Sequence, residues 1–329
     1  MTAFASTLQL FFTERLMRQR QVSQHTIAAY RDTLRMLLIF ASKSKAVPPS
    51  RLDFDDLDAP LVGAFLAHLE QDRKNGVRTR NARLVAVRSL FRYAAFRHPE
   101  HAARIERVLA IPPKRFDRRL VCFLDEAELA ALLTAPDRTS WTGRRDQILL
   151  TLAAQSGMRV SELIGLRIGD VHFGVGAHVS CQGKGRKMRA TPITAAMVAL
   201  LKPWLSERSA PPTEPLFVSR SGTALSRDAI ERRLAKCTHI AQKTCPSLVA
   251  KNVTMHVLRH STAMRLMGAG VEQSVIALWL GHEQVGTTDI YLHADMKTKE
   301  RALARTAPAG SAGGRFRPGD KLLGFLEGL

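Results

Sequence analysis

The sequence predicts a mainly α-helical protein of two domains, with a small antiparallel β-sheet in the second domain. Apolar residues recur at intervals of three and four over most of the chain, and the period changes to two only between residues 169 and 193. The adjacent prolines Pro112 and Pro113 cannot continue a helix, and 329 residues exceed what one core usually organises. We therefore expect a helical domain over 1–110, a basic linker over 111–119, a second domain over 120–306, and a small-residue linker with an apolar end over 307–329.

Helices of the first domain are predicted from their start signals. Ser23 can cap a helix with Ile27, Tyr30, Leu34, Leu37 and Leu38 inward, and Asp58 with Pro60 begins a second. A further helix runs from about Thr79 to Phe96. Its arginines are predicted to form an exposed face of one sign, either merely solvated or in contact with a polyanion that offsets their mutual repulsion: Arg80, Arg83, Arg88 and Arg92.

The linker joins its two prolines to a group of cations. Proline restricts the backbone to extended conformations, so the segment should be a strap between domains that could close around a duplex. The cations that we expect to contact DNA here are Lys114, Arg115, Arg118 and Arg119.

The second domain is predicted to open with a helix capped near Asp125, followed by two helices between Arg144 and Leu166 that are broken around Gly157. The segments DVHF, HVSCQ and MRATPI are typical of three short strands separated by glycine-rich turns. From there to about Arg305 the pattern is again helical.

Charge and composition restrict the partners. Lys and Arg number 49 against 29 Asp and Glu, which gives a net charge of +20 and an isoelectric point near 10.7. Nucleic acid is the first candidate partner and an anionic membrane the second. No apolar run approaches the roughly 18 residues of a spanning helix, and the start lacks the order of a signal peptide, so we expect a cytoplasmic, nucleoid-associated protein.

The four cysteines show no CxxC pair and are expected to be reduced thiols. The alternative is a zinc site built from Cys237, His239 and Cys245, but their spacing matches no standard zinc pattern.

Tyr291 stands out among the three tyrosines, because Tyr30 and Tyr93 lie on apolar helical stripes. Its surroundings in the sequence gather basic and titratable groups, among them Arg259 and His282. A phenol with a pKa of about 10 is a poor nucleophile at neutral pH, so it needs a proton acceptor and nearby positive charge.

Four segments resemble the motifs of the tyrosine recombinases of the phage integrase family, in the right order and at compatible spacing. They are SGMRVSEL at 156–163, GKGRK at 183–187, MHVLRHSTAMRL at 255–266 and LGHEQVGTTDIY at 280–291. The resemblance extends over about residues 4 to 300, since the N-terminal part resembles that family's helical, SAM-like core-binding domain. It implies a Xer-like fold in which this domain and the catalytic domain form a C-shaped clamp on DNA.

The resemblance implies six site residues: Arg159, Lys184, His256, Arg259, His282 and Tyr291. Planar guanidinium groups suit the clamping of a phosphodiester, so Arg159 and Arg259 fit that role, although Arg159 could instead pair with Glu162. His256 is the candidate general base, His282 would support the phosphate, and Lys184 would protonate the leaving oxygen. Arg186 and Lys187 are rivals of Lys184 and further candidates for DNA contact.

The implied reaction is site-specific cleavage and rejoining of double-stranded DNA through a 3′-phosphotyrosine. No phosphate loop and no cluster of acidic metal ligands is found in the sequence, so we expect neither ATP nor a metal or other cofactor. By resemblance, four protomers would act on two paired sites, and the free protein would be a monomer or dimer. The alternatives are a type IB-like topoisomerase and a DNA-binding regulator that has lost cleavage.

Overall fold

The computed structural model describes residues 2–116, 121–183 and 188–281. The chain forms two compact units, Met1–Arg118 and Arg119–Leu329, each of which is described by itself. The fold is mainly α-helical with one small antiparallel sheet, as the sequence predicts.

The first unit is entirely helical in its described part. Thr2, Ser23 and Asp58 each cap a helix through a side-chain oxygen that accepts from a backbone N–H three residues later. The predicted starts at Ser23 and Asp58 are therefore confirmed. The helices are α1 (Ala3–Leu10), which continues with π-helical pitch over Phe11–Gln19, α2 (Gln24–Lys45), α3 (Ala59–Gln71), α4 (Val77–Ala95) and α5 (Ala102–Ala110).

The inward faces of these helices form one apolar core. Leu34 and Leu37 of α2 meet Phe65 of α3 and Leu90 of α4 there, and each of them is 2% exposed or less. Tyr93 is buried, and Tyr30 stacks on Phe11 with ring centroids 6.3 Å apart, so both belong to this core, as predicted.

The predicted basic face of α4 is wrong for three of its four arginines. Arg80 is 7% exposed and donates to the carbonyl of Pro112 at 3.2 Å, with Glu70 3.9 Å away. Arg83 donates to Ala29 O at 3.1 Å and to Thr33 Oγ1 at 2.8 Å on α2.

Arg88 donates to the carbonyl of Ile111, beyond the end of α5. Carbonyls near helix ends lack intrahelical donors, and a long guanidinium side chain can reach one while its stem packs on apolar neighbours. Of the four arginines, Arg92 alone is exposed as predicted.

The first half of the basic linker lies along α4. Asn81 makes two hydrogen bonds to the backbone of Lys114: its Nδ2 donates to Lys114 O at 2.8 Å, and its Oδ1 accepts from Lys114 N at 3.0 Å. The ammonium group of Lys114 pairs with Glu70 at 2.7 Å, whereas Arg115 is exposed. Arg118 and Arg119 lie outside the described residues.

The second unit packs seven helices around a sheet of three strands in its described part. Asp125 and Glu128 form a capping box at the first helix, and Gly157, in the left-handed region, ends the second, so both predictions are confirmed. The elements are α6 (Glu126–Thr134), α7 (Trp141–Ser156), α8 (Val160–Gly165), β1 (Val171–His172), β2 (His178–Gln182), β3 (Met188–Pro192), α9 (Ala195–Arg208), α10 (Arg227–Ala241), α11 (Met255–Gly268) and α12 (Gln273–Leu280).

The three predicted strands form a sheet in the order β1-β2-β3, with both pairs antiparallel. Val179 and Cys181 of β2 face the core, and Cys181 lies opposite Arg189 of β3. Residues 184–187 of the connecting turn, and the helix and tail predicted after residue 281, lie outside the described residues.

Two further predictions concern membrane segments and metals. Among the described residues, none of the helices combines the length and apolarity that crossing a bilayer requires. Burial raises the pKa of the Cys237 thiol to about 11, and Cys237, His239 and Cys245 do not form a metal-ligating group.

Candidate active site

Arg159 stands at the start of α8, directly after the break at Gly157. Gly157 has φ +62, and a Cβ there would lie 2.5 Å from Leu280 Cδ2, so both conformation and space require glycine. Arg159 is the N-cap residue of α8, and its side chain is 35% exposed. The turn thus places one accessible guanidinium at a helix start, where the dipole also favours anions.

Glu162, one turn into α8, binds Arg159 at two points. Its Oε2 accepts from the Arg159 backbone N–H at 2.7 Å, and its Oε1 accepts from Arg159 Nη1 at 2.9 Å. The ion pair between Arg159 and Glu162 that was the alternative to phosphate binding is therefore present. It orients the guanidinium without excluding a phosphate, since five N–H groups are available on an arginine.

Arg189 of β3 binds the same carboxylate from the other side. Its Nη1 and Nη2 donate to Oε1 and Oε2 of Glu162 at 3.0 and 2.9 Å, a bidentate pair. Burial raises the pKa of the Glu162 carboxyl, but the hydrogen bonds from Arg189 and Arg159 outweigh it, so the pKa lies below its ordinary value. Glu162 is therefore charged at neutral pH.

Arg259, on the second turn of α11, is almost fully buried at 3% exposure. Its Nη1 donates to Gly157 O at 2.6 Å, and its Nη2 donates to Leu280 O at 2.7 Å. Arg159 Nη2 donates to the next carbonyl, that of Gly281, at 3.3 Å. The two arginines, 100 positions apart in the sequence, therefore meet at two consecutive peptide groups.

His256 lies in the first turn of α11 and is partly exposed. Partial burial lowers the pKa of this imidazole, and the charges of Arg259 and Arg159 lower it further. Its ring meets that of His260 edge to face, with centroids 4.2 Å apart. His260 itself is buried at 9% exposure, as expected of a structural residue.

Three of the six predicted site residues are thus described, and the structure brings Arg159, His256 and Arg259 together. Lys184, His282 and Tyr291 lie outside the described residues, as do Arg186 and Lys187. Sequence reasoning missed Arg189. The alternation of β3 could have indicated it, because Arg189 and the buried Thr191 share one face of the strand.

Solved structures of DNA recombinases and integrases share this fold. XerH bound to difH substrate in a pre-cleavage complex matches with a TM-score of 0.63 and 22% identity, over 92% of this chain and 84% of that chain. The Tn1549 transposon integrase in complex with transposon right end DNA matches with a TM-score of 0.69 and 16% identity, over 92% and 99%.

Sequence relatives are closer. The integrase/recombinase y4rC of Sinorhizobium fredii is 52% identical over 327 residues, which is 99% of this chain and 98% of that protein. Tyrosine recombinase XerC of Pseudomonas aeruginosa is 32% identical over 93% of this chain and 98% of its own length. The profile of the phage integrase family matches residues 122–298, and that of the phage integrase N-terminal SAM-like domain matches residues 11–98.

The chain therefore belongs to the phage integrase family, the tyrosine recombinases, and is an enzyme of the class that breaks and rejoins DNA. The first unit carries the SAM-like domain and the second the catalytic family match.

Proposed function

We propose that this recombinase cleaves DNA at defined sites through Tyr291, and that Arg159 and Arg259 bind the phosphate under attack. One observation carries the proposal. Arg159 and Arg259 donate to the carbonyls of Gly281 and Leu280, so both guanidinium groups lie at the point where the chain enters the motif that holds His282 and Tyr291.

The transition state of phosphoryl transfer places negative charge on the non-bridging oxygens, which guanidinium donors stabilise. Arg159 is partly exposed and offers N–H groups beyond those that bind Glu162 and Gly281. Arg259 is buried, and it lies beside Arg159 at the carbonyls of Leu280 and Gly281. His282 supports the phosphate as a further donor.

Proton transfers complete the reaction. The phenolic oxygen of Tyr291 attacks phosphorus and its proton passes to His256, whose lowered pKa keeps the ring neutral and able to accept it. The bond to the 5′ oxygen breaks as Lys184 supplies a proton. The product is a 3′-phosphotyrosine with a free 5′ hydroxyl, and the bond energy is retained, so rejoining needs no ATP.

The protein partners of the reaction are further copies of this chain. Four protomers on two paired sites in double-stranded DNA exchange strands in the cytoplasm, at the nucleoid. The cations that contact DNA include Arg92, Lys114 and Arg115, together with Arg118, Arg119, Arg186 and Lys187 beyond the described residues. The sequence relationship to the recombinases y4rC and XerC supports this mode of action.

Covalent capture tests the proposal. Nicked duplexes with a randomised segment are incubated with the protein and denatured, and the DNA that stays attached is sequenced. We expect an adduct at a defined sequence that Tyr291→Phe abolishes. Tyr93→Phe is the matched control, because the Tyr93 hydroxyl is buried without a hydrogen-bond partner in the described structure, so its loss should leave cleavage intact.

Other outcomes would contradict the proposal. An adduct on any sequence, with relaxation of supercoiled DNA, would indicate a type IB-like topoisomerase. Binding without an adduct would indicate a regulator that has lost cleavage.

A further inference from the structure

We propose that Arg189 is a positioning residue of the cleavage reaction, which acts on Arg159 through the shared carboxylate of Glu162. The inference rests on the proposed function, because it assumes that Arg159 binds the phosphate. It adds a residue on β3 to the described site residues Arg159, His256 and Arg259.

The carboxylate of Glu162 links the two arginines through hydrogen bonds. Among the described residues, two arginines supply four hydrogen bonds to the Glu162 carboxylate: two from the Arg189 guanidinium, one from Arg159 Nη1 and one from the Arg159 backbone. Each carboxylate oxygen therefore holds one bond from each arginine. Four hydrogen bonds favour one orientation of the carboxylate, and the carboxylate in turn orients the Arg159 guanidinium.

Burial makes the arrangement rigid. The side chains of Glu162 and Arg189 are 3% and 13% exposed, whereas that of Arg159 is 35% exposed. Water therefore competes for the Arg159 guanidinium and hardly at all for the pair behind it. Arg189 and Glu162 thus form a buried ion pair that supports the accessible Arg159.

Arg189 also contacts the chain that leads to His282. A Cβ on Gly281 would lie 2.7 Å from Arg189 Nη1 and 3.3 Å from its Cδ, so the guanidinium packs directly on the Gly281 backbone. The same Gly281 accepts from Arg159 Nη2 through its carbonyl. Arg189 thus fixes both partners of Arg159, Glu162 and Gly281.

Arg189 further joins the site to the β2–β3 turn, since it follows Lys184 by five residues at the start of β3. Its contacts therefore anchor the start of β3, the strand that follows the proposed general acid in the sequence.

The stability of the fold gives only a weak reason for the buried ion pair of Arg189 and Glu162. Arg189 Nε is buried and has no acceptor among the described residues, and an unsatisfied buried donor costs about 1–3 kcal/mol. A buried ion pair is often no more stabilising than apolar residues of similar size. The orientation of Arg159 is what the pair contributes.

The test compares Arg189→Lys with Arg144→Lys. Arg144 also binds a glutamate with two nitrogens, Glu207 at 3.1 and 2.6 Å, but it lies at the start of α7 and contacts none of the site residues described. We expect Arg189→Lys to slow adduct formation about 10- to 100-fold in single turnover, as loss of outer support typically does, while DNA affinity changes less than about twofold. Arg144→Lys should cleave as the wild type does.

A DNA substrate with an uncharged scissile phosphate distinguishes the positioning of Arg159 from general damage to the protein. When one non-bridging oxygen of the mapped phosphate is replaced by methyl, the charge that Arg159 stabilises is removed. The ratio of wild-type to Arg189→Lys rates should then fall to near 1. An unchanged ratio on this substrate, or equal rates on the ordinary substrate, would overturn the inference.

Folding and function are checked independently. Thermal unfolding of each variant shows whether the fold persists, and Arg189→Gln provides the same ratio if the lysine variant unfolds. A wild type that forms no Tyr291-dependent adduct contradicts the proposed function. A wild type that forms it, with Arg189→Lys equally active on both substrates, contradicts only the role of Arg189.

Discussion

His256 has a proton affinity that follows from its position in α11. Thr254 caps this helix, so the imidazole lies at its positive end, where the helix dipole disfavours a cation. Partial burial and the charges of Arg259 and Arg159 lower its pKa as well. The three effects have the same sign, and they keep the ring neutral at the pH at which a phenol must lose its proton.

The lowered pKa of His256 predicts how the rate of adduct formation falls at low pH, which is the acid limb of its pH profile. The second-order rate constant of adduct formation reports the free enzyme, so it should rise with pH through a pKa below the ordinary 6.5 and be level at pH 7. His256→Gln should lower the rate about 10²- to 10⁴-fold and remove that limb. His25→Gln, on the exposed face of α2, should retain both rate and limb. An acid limb that persists in His256→Gln would assign it to another group.

At the residue scale, the sequence predicted which side chains belong to the site better than it predicted their partners. Arg159, His256 and Arg259 were identified from motifs, since their spacing is local. Arg80 and Arg83 are predicted to lie on an exposed face, because nothing local shows that Pro112 and Ala29 would offer carbonyls to them. Arg189 was missed for the same reason, as its partner Glu162 lies 27 positions earlier.

Elements were predictable where a start or stop signal is written into the chain. Ser23, Asp58 and Asp125 cap helices as expected, and Gly157 ends α7. The π-helical pitch of Phe11–Gln19 was not predicted, because its apolar spacing is that of an ordinary helix.

The junction between α7 and α8 connects an element to the site. Gly157→Ala should lower the free energy of unfolding by about 1–3 kcal/mol, since alanine is strained at φ +62 and its Cβ would overlap Leu280. It should also slow cleavage, because Arg259 binds the Gly157 carbonyl. Denaturant unfolding and the adduct assay measure the two effects.

Gly165→Ala is the matched control, at the last residue of α8. A Cβ there meets nothing within 4 Å and no left-handed backbone is involved, so alanine should be neutral or stabilise the helix by up to about 1 kcal/mol. Equal destabilisation by both substitutions would show that the conformation of residue 157 is not what matters.

At the scale of the whole molecule, part of the positive charge behind the net charge of +20 lies on side chains that are bonded within the fold. Three arginines of the first unit donate hydrogen bonds to backbone carbonyls of that unit: Arg80, Arg83 and Arg88. In the second unit, Arg145 of α7 is buried and pairs with Asp146. We expect such cations to stabilise the fold and to release few counterions when DNA binds. The charge available to a polyanion is therefore smaller than the sequence total.

Salt dependence distinguishes the two kinds of arginine. Each phosphate neutralised contributes about 0.9 to the slope of log affinity against log salt, so Arg92→Gln, at an exposed position, should reduce the slope by about 1. Arg83→Gln, on the same helix, loses two hydrogen bonds to α2 and should cost stability of about 1–2 kcal/mol without changing the slope. Fluorescence anisotropy of a labelled duplex from 50 to 300 mM salt, about the range where exposed charges are progressively screened, measures both slopes. A slope that falls equally in both variants would mean that Arg83 leaves α2 to bind DNA, because a guanidinium held by Ala29 and Thr33 cannot neutralise a phosphate at the same time.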